Sequence, residues 1–564
     1  MSAVLVLLAA CSSGKASAPV VASSPAPDSS SSSKAKSSGG SSSIDAACPT
    51  AAPDSAPPPQ GSQGAISFDD ATASMGLLDP LTGMMGHAVA VGDVNGDGYQ
   101  DLFVGSFANR PPDTYAVRGA TGPSPDRVLL GGPNGFTVDT GFPGTQGRTS
   151  SAAFVDLNGD GRPDLVVARN RESTKKGATA IDSAPTTMYR NDGDGKFTDM
   201  GTIGPDQLAR AVTAFDIDGD GKLDLLIGQD SATGSVALLH NDGDFKFTDI
   251  TSKSGLPTPL VAFGIAAADL NGDGHIDLAI AGSNKIFLGD GNGSFHDATP
   301  ASFAWPVYGD EDLVTGVAVG DLDGDGRPDL VVGHHYGSTL KGQPVPVRVF
   351  LNRGNDDSGA PKWDDVTQSS GVPGFPTKSP HVEIADFDND GRPDVLVSSS
   401  ADDGARPVVL HNEGVQSDTH APKFTVSPGL GNKQYWVTGA VFDADRDGRL
   451  DVFIAEWCAT KPSLLLRNTT NNTGHWIDVD VSALPLGGVG SWVQVFRASA
   501  AGQSDALLGS GWVTASTGYG AGAAPVVHVG LGSVTSVDVV VHAANGQTTT
   551  LGGQSADRTI TPGR

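Results

Sequence analysis

Short, β-branched apolar runs alternate with one polar nonapeptide along most of this chain, and the alternation recurs seven times. The runs that follow the nonapeptide read DLFVG, DLVVA, DLLIG, DLAIA, DLVVG, DVLVS and DVFIA. Those that precede it read AVAVGD, SAAFVD, VTAFD, GIAAAD, GVAVGD, VEIAD and GAVFD. All are too short for helices, rich in Val, Ile, Leu and Ala, and bounded by Gly or polar residues, so they predict buried strands joined by a hairpin. A third run follows in each unit (RVLLGG, TMYRND, VALLHND, KIFLGD, VRVFLNR, VVLHNE, LLLRN). A fourth is marked by Phe197-Thr-Asp199, Phe247-Thr-Asp249, Phe295-His-Asp297 and Trp363-Asp-Asp365.

The nonapeptides begin at Asp93, Asp156, Asp216, Asp269, Asp321, Asp386 and Asp443, spaced 52 to 65 residues apart. A period of that size with four strands per unit predicts an all-β chain folded as a seven-bladed β-propeller. The seventh unit lacks its fourth strand, while an orphan copy, ISFDDATASMGL, stands at Ile66–Leu77. An open ring leaves an unpaired sheet edge, so Ile66–Asp70 is expected to close blade seven. The expected organisation is a leader over 1–11, a Ser/Ala/Pro-rich tether over 12–64, the propeller over 65–473, and a small antiparallel β-domain over 474–564.

The nonapeptide carries chemistry as well as a turn. Ca²⁺ takes oxygen ligands at about 2.3–2.6 Å, and side-chain oxygens at positions 1, 3, 5 and 9 with a carbonyl at position 7 can wrap one ion. The first loop offers Asp93, Asn95, Asp97, the Tyr99 carbonyl and Asp101; the second, Asp156, Asn158, Asp160, the Arg162 carbonyl and Asp164. The third offers Asp216, Asp218, Asp220, Lys222 and Asp224; the fourth, Asp269, Asn271, Asp273, His275 and Asp277. The fifth offers Asp321, Asp323, Asp325, Arg327 and Asp329; the sixth, Asp386, Asp388, Asp390, Arg392 and Asp394. The seventh offers Asp443, Asp445, Asp447, Arg449 and Asp451. Glycine at position 6 permits the left-handed turn that wrapping needs. Asp/Asn/Gly surface turns are the competing reading, but seven copies with the same positions filled favour a metal. Mg²⁺ tolerates irregular protein cages poorly, and an EF-hand would need a Glu at position 12 between helices. The expectation is up to seven Ca²⁺.

These hairpins resemble the FG-GAP/VCBS repeat family, whose D-x-[DN]-x-D-G-x-x-D loop also occurs in integrin α-chain propellers. The resemblance runs from Ile66 to Asn468. The tail, HWIDVDV…GVGSWVQVF…VVHVGLGSVTSVDVVVHAANGQ, resembles the ASPIC/UnbV domain of cartilage-acidic-protein-like chains. It departs from that pattern at His542-Ala-Ala-Asn-Gly546, where a Trp-Pro-Ser-Gly segment is usual.

Charge follows from the loops. The formal net charge is −28, and 25 of the 64 acidic residues lie in the nonapeptides. Such a surface excludes nucleic-acid binding, which needs a basic stripe. The start, MSAVLVLLAACSSG, resembles a bacterial lipoprotein signal with Cys11 as the lipidated residue; a plain secretory signal is the alternative. The basic residues usual before such a run are missing, so a natural start further upstream is an expectation. The apolar run is too short to span a membrane, so a lipid anchor is the expected membrane attachment of a monomer outside the cytoplasm. Cys48 and Cys458 are expected either to pair or to stay as separate thiols.

The face opposite the metal loops gathers less regular residues, among them Arg110, Arg171, His334, His335, Tyr336 and Trp457, with His87 and Arg210 expected to line a central funnel. Aromatic and Arg side chains there suit a carbohydrate or protein ligand, or express ordinary loop variety. G-x-S-x-G, H-E-x-x-H and nucleotide loops are missing. A calcium-binding scaffold is therefore the expected function. A polysaccharide lyase or hydrolase, using the His334-His335-Tyr336 cluster, is the competing reading.

Overall fold

The computed structural model describes residues 66–109, 115, 120–173, 176–205, 208–230, 234–303, 314–335, 344–375, 378, 380–399, 406–427, 430, 436–458, 461–471 and 474–563. Cys11, Cys48, Arg110 and Tyr336, and with them the leader and tether, lie outside these residues.

Among the described residues, seven sheets repeat one antiparallel four-stranded meander. The first strands are Gly86–Gly92, Thr149–Val155, Ala209–Phe215, Ala262–Ala268, Val314–Gly320, Val382–Ala385 and Trp436–Phe442. Each leads through its nonapeptide into a second strand whose first residue is the position-9 aspartate, as in Asp101–Ser106 or Asp451–Glu456. The seventh sheet takes its fourth strand from the other end of the ring: Phe68–Asp70 pairs with Leu464–Asn468, Phe68 opposite Asn468 and Asp70 opposite Leu466.

Continuous apolar runs follow from burial on both faces. Alternate side chains of one strand pack against the sheets on either side: Val89 and Val91 meet Ala440, Phe442 and Phe453 of blade 7, while Ala88 and Ala90 meet Ala152, Phe154 and Val167 of blade 2. Further clusters of this kind join blades 2 and 3, 3 and 4, 4 and 5, 5 and 6, and 6 and 7, so the hydrophobic contacts form a closed cycle.

Residues 474–563 build two more sheets around a Val-rich core. One places His475–Asp480 between Val526–Gly532 and a parallel Arg558–Ile560; the other runs Leu507–Trp512, Trp492–Arg497, Ser536–His542, Thr548–Ser555. Between them the chain sends out a hairpin, Ser516–Thr517 and Ala521–Gly522, which joins the sheet of blade 1: Ala521 and Gly522 pair in parallel with Val89 and Ala90. This hairpin runs down the axis of the ring. Gly518 exchanges backbone hydrogen bonds with Val317 of blade 5, Gly520 accepts one from Val89, and the Ser516 hydroxyl donates to the Ile265 carbonyl of blade 4. Glycine is required at the tip. A Cβ on Gly520 would lie 2.8 Å from the Ser150 carbonyl oxygen, and one on Gly518 2.5 Å from His381 Nδ1.

Candidate metal centre

Position 1 organises each nonapeptide. Asp93 Oδ1 accepts from the Gly96 and Asp97 N–H groups at 2.7 and 3.1 Å, and Oδ2 from Gly98 at 2.8 Å. The same wrap recurs around Asp156, Asp216, Asp269 and Asp321. The position-6 glycines all have positive φ, as expected, and so do the position-4 residues. Five of these are Gly; Asn389 and Arg446 adopt φ 58° and 62° in loops 6 and 7. Arg446 also reaches across the ring closure, its guanidinium 5.2 Å from the Tyr99 ring centre.

Position 9 is buried at the start of the second strand and is held by backbone on both sides. Asp101 Oδ2 accepts from Val94 N–H at 2.8 Å, and Oδ1 from Gly131 N–H just past the third strand at 2.7 Å. The other six loops repeat this pair of bonds, as with Asp394 between Phe387 and Asn412. Burial is the leading cause that pushes these carboxyls up: Asp224 to about 6, Asp101 and Asp164 to about 7, Asp277 and Asp451 to about 8, Asp329 and Asp394 far above the usual range. Burial also raises Asp321, Asp386 and Asp443 at position 1 to about 7.

Position 3 divides the loops. Where it is Asn, the amide donates to the position-5 carboxylate: Asn95 to Asp97 at 3.1 Å, Asn158 to Asp160 at 3.0 Å, Asn271 to Asp273 at 2.9 Å. In three of the loops where it is Asp, one oxygen is buried without a hydrogen-bond partner: Oδ1 of Asp323, Asp388 and Asp445. Carboxylate oxygens of Asp216, Asp218 and Asp220, of Asp321, Asp323 and Asp325, and of Asp386, Asp388 and Asp394 converge to within 4.8 Å of one another. Carboxylates so close repel one another while ionised, and a partnerless carboxylate oxygen is costly to bury. Both features fit a hard divalent cation held by oxygen.

Position 7 contributes more than the expected carbonyl. Arg162 Nε donates to the Asn191 carbonyl at 2.9 Å while its Nη2 pairs with Asp160; Arg327, Arg392 and Arg449 repeat the arrangement on Asp325, Asp390 and Asp447.

Sequence reasoning missed one recurrent residue, the Asn on the third strand. Asn191, Asn241, Asn352, Asn412 and Asn468 each donate Nδ2 to the position-2 carbonyl of the loop one blade earlier, at 2.8–3.0 Å. The signal was present as the invariant Asn in TMYRND, ALLHND, VFLNR, VVLHNE and LLLRN.

The C-terminal segment rests on this loop face. Ser510 Oγ donates to Asp321 Oδ2 at 2.9 Å, His528 Nε2 lies 2.7 Å from Asn389 Oδ1, and Gly532 N–H donates to the Asn389 carbonyl. His528 is also 2.7 Å from Asp478, whose charge raises the imidazole pKa against the burial that lowers it.

On the opposite side, His87 and Arg210 meet at the ring axis, together with Tyr519 from the hairpin tip. His87 Nε2 lies 3.4 Å from the Tyr519 hydroxyl and 3.5 Å from Arg210 Nη1, and Arg210 Nε donates to Asp230 at 2.6 Å. Trp457 packs edge-on and Phe107 tilted against the imidazole, each with ring centres 5.1 Å away. Burial, then Arg210, lowers the His87 pKa to about 3, so it is neutral. His334 is buried with Nε2 3.1 Å from the Val345 carbonyl, and burial lowers it to about 3 as well; His335 and Arg171 are half-buried. Cys458 is buried and disulfide-bonded.

The FG-GAP-like repeat model matches residues 178–227, 216–280, 276–332 and 386–454, and the FG-GAP repeat model matches 85–117 and 149–181. Cartilage acidic protein 1 of Xenopus tropicalis is 25% identical over 419 residues, covering 69% of this chain and 60% of that protein. The Mus musculus protein is 26% identical over 428 residues, covering 70% and 61%. The chain thus spans about 60% of the length of these relatives. Among solved structures, BBS1N in complex with ARL6DN aligns with a TM-score of 0.40 at 11% identity, over 72% of this chain and 98% of that one.

Proposed function

We propose that this chain, an FG-GAP repeat protein, is a calcium-loaded binding scaffold that works outside the cytoplasm and is lipid-anchored through Cys11. One observation carries the choice of scaffold over catalyst. The place where His87, Arg210 and Trp457 converge is filled by the chain's own Tyr519, so the polar axis serves cohesion rather than turnover. What remains for a partner is the rim of loops, where a carbohydrate or protein surface can bind.

Calcium is supported by the converging carboxylates and by the partnerless oxygens of Asp323, Asp388 and Asp445. The bonded Cys458 supports an oxidising compartment. Among the described residues no helix is long and apolar enough to cross a membrane. The test is a glycan array on the calcium-loaded protein, paired with a product assay on the same polysaccharides. Saturable binding without turnover is the expected result. Turnover abolished by His335→Ala would establish an enzyme instead.

A further inference from the structure

Among the described residues the chain has six Asn–Gly steps. Asn95-Gly96, Asn158-Gly159 and Asn271-Gly272 occupy positions 3 and 4 of loops 1, 2 and 4, whereas Asn134-Gly135, Asn292-Gly293 and Asn545-Gly546 lie in turns that join two strands. Such a step is open to spontaneous deamidation, because glycine puts no side chain in the way of its own nitrogen. That nitrogen attacks the Asn Cγ: the N–Cγ bond forms, the Cγ–Nδ2 bond breaks, and Nδ2 leaves as ammonia with the nitrogen's proton. Water then opens the cyclic imide at either carbonyl, giving aspartate or isoaspartate. Isoaspartate inserts one more carbon into the backbone between positions 3 and 4, which changes the spacing on which the wrap depends.

In the three loops every group that takes part in this reaction is tied down. The glycine nitrogen donates to Oδ1 of the position-1 aspartate at 2.7–2.8 Å. The Asn Oδ1 accepts from the position-5 N–H at 2.9 Å, and Nδ2, the leaving group, donates to the position-5 carboxylate at 2.9–3.1 Å. The amide is held at both ends and half-buried, so it cannot swing onto the glycine nitrogen without breaking these bonds together. The turns differ at the side chain. Their glycine nitrogens donate to backbone carbonyls, but all three asparagines are exposed. Asn292 and Asn545 use only Oδ1, accepting from Ser294 and Gln547, and Asn134 makes no side-chain hydrogen bond, so each Nδ2 is untied.

We propose that Asn134, Asn292 and Asn545 are the deamidation sites of the folded chain, and that the position-1 and position-5 aspartates of loops 1, 2 and 4 protect the Asn–Gly step between them. The loop carboxylates thus preserve the covalent structure of their own loops, a role that needs no bound ion. Hydrogen bonds to a charged group each slow opening severalfold, so the three loop steps react about tenfold or more slowly than the three turns.

The full chain is incubated at neutral pH below its melting temperature, in Ca²⁺ and separately in EDTA, then digested. Each of the six peptides is followed by mass spectrometry for the exchange of amide for carboxyl. Asn134, Asn292 and Asn545 are expected to convert first in both conditions, with Asn95, Asn158 and Asn271 trailing by about tenfold or more. In urea all six are expected to convert at similar rates. Asp97→Ala, followed in EDTA, unties Nδ2 of Asn95 alone, so Asn95 is expected to rise to the rate of the turns. Asn158 and Asn271 stay slow in the same molecule and report that the ring is still folded. Should that variant fail to fold, the wild-type comparison between native chain and urea still decides. Loop steps that keep pace with the turns in the native chain, or an Asn95 that stays slow in folded Asp97→Ala, overturn the proposal. Protection seen only in Ca²⁺, with the ring folded in EDTA, would assign it to the ions and overturn it as well.

Discussion

Asn412 shows how much structural work one side chain does in this ring. Its Nδ2 donates to Leu322 of the previous blade and to Pro393 of its own, and its Oδ1 accepts from Gly414. Asn412→Ala takes this donor from the buried Leu322 carbonyl and the half-buried Pro393 carbonyl, at a cost of up to about 1–3 kcal/mol each. A loss of about 2–4 kcal/mol is expected, read as a lower urea midpoint at unchanged m-value; a change below about 0.5 kcal/mol would contradict the linking role. The position-9 carboxylates give a pH signature. Their usual pKa of 3.8 is raised to about 7 at Asp101 and about 8 at Asp277 and Asp451. A carboxyl raised in the folded state holds its proton more tightly there than in the unfolded chain. Its stabilisation is therefore complete below about pH 4 and is lost as pH rises through 7 to 8. The calcium-free protein is expected to melt higher at pH 5 than at pH 8, and saturating Ca²⁺, which needs ionised ligands, should reverse the order. A calcium-free melting temperature that climbs steadily to pH 8 would show these groups to be ionised throughout. The ligand positions were legible because acidic spacing is local. The Asn link was not, because its partner sits about 80–100 residues earlier in sequence.

At the scale of elements, strands were legible wherever both faces are buried, since a continuous apolar run has few other uses. The closing strand was legible from the gap it fills. Deleting Ile66–Asp70 removes the pairing with Leu464–Asn468 and buries less apolar surface against Phe387, so the truncated protein is expected to aggregate or melt lower. Deleting 12–64 should leave the melting temperature close to that of the full chain, apart from any bridge to Cys48. Equal behaviour of the two deletions would refute the clasp. The axial hairpin had no such signature. Thr514–Pro525 reads TASTGYGAGAAP, without alternation, because its small residues answer to a channel that exists only once the ring is built. Gly520→Val tests its fit. Gly520 has φ +71°, and the new Cβ would meet the Ser150 and His87 carbonyls at 2.8 and 3.0 Å. The variant is expected to unseat the hairpin, lowering stability by several kcal/mol through strain and lost packing and opening Gly518–Gly520 to proteolysis. A variant as stable and protease-resistant as the wild type would mean that the tip does not bear on the ring.

Across the whole molecule, acidity, metal and shape are one problem. Seven Ca²⁺ would bring the formal charge from −28 to −14, and they would do so on the face where the C-terminal segment sits. That cover is uneven. The position-6 glycines of loops 1 to 4 are exposed, while Gly326 and Gly391 are half-buried and Gly448 is buried, under contacts made by Leu507, the Gly530 carbonyl and Trp476. Ions held in loops 1 to 4 would therefore meet solvent directly, whereas ions held in loops 5 to 7 would lie partly beneath Ser510, Trp476 and His528. Because a ligand that binds only the folded state stabilises it by mass action, EDTA is expected to lower the melting temperature substantially and added Ca²⁺ to restore it. Release into a chelating indicator should be biphasic, with loops 1 to 4 emptying before loops 5 to 7. Asp216→Ala in exposed loop 3 should remove one ion from the fast phase and leave the ring closed, whereas Asp386→Ala should remove one from the slow phase and loosen the C-terminal contacts at Asn389. An unchanged melt after confirmed metal removal would sever the coupling between metal and fold. A single release phase that both variants shorten equally would show that the C-terminal cover does not guard the ions beneath it.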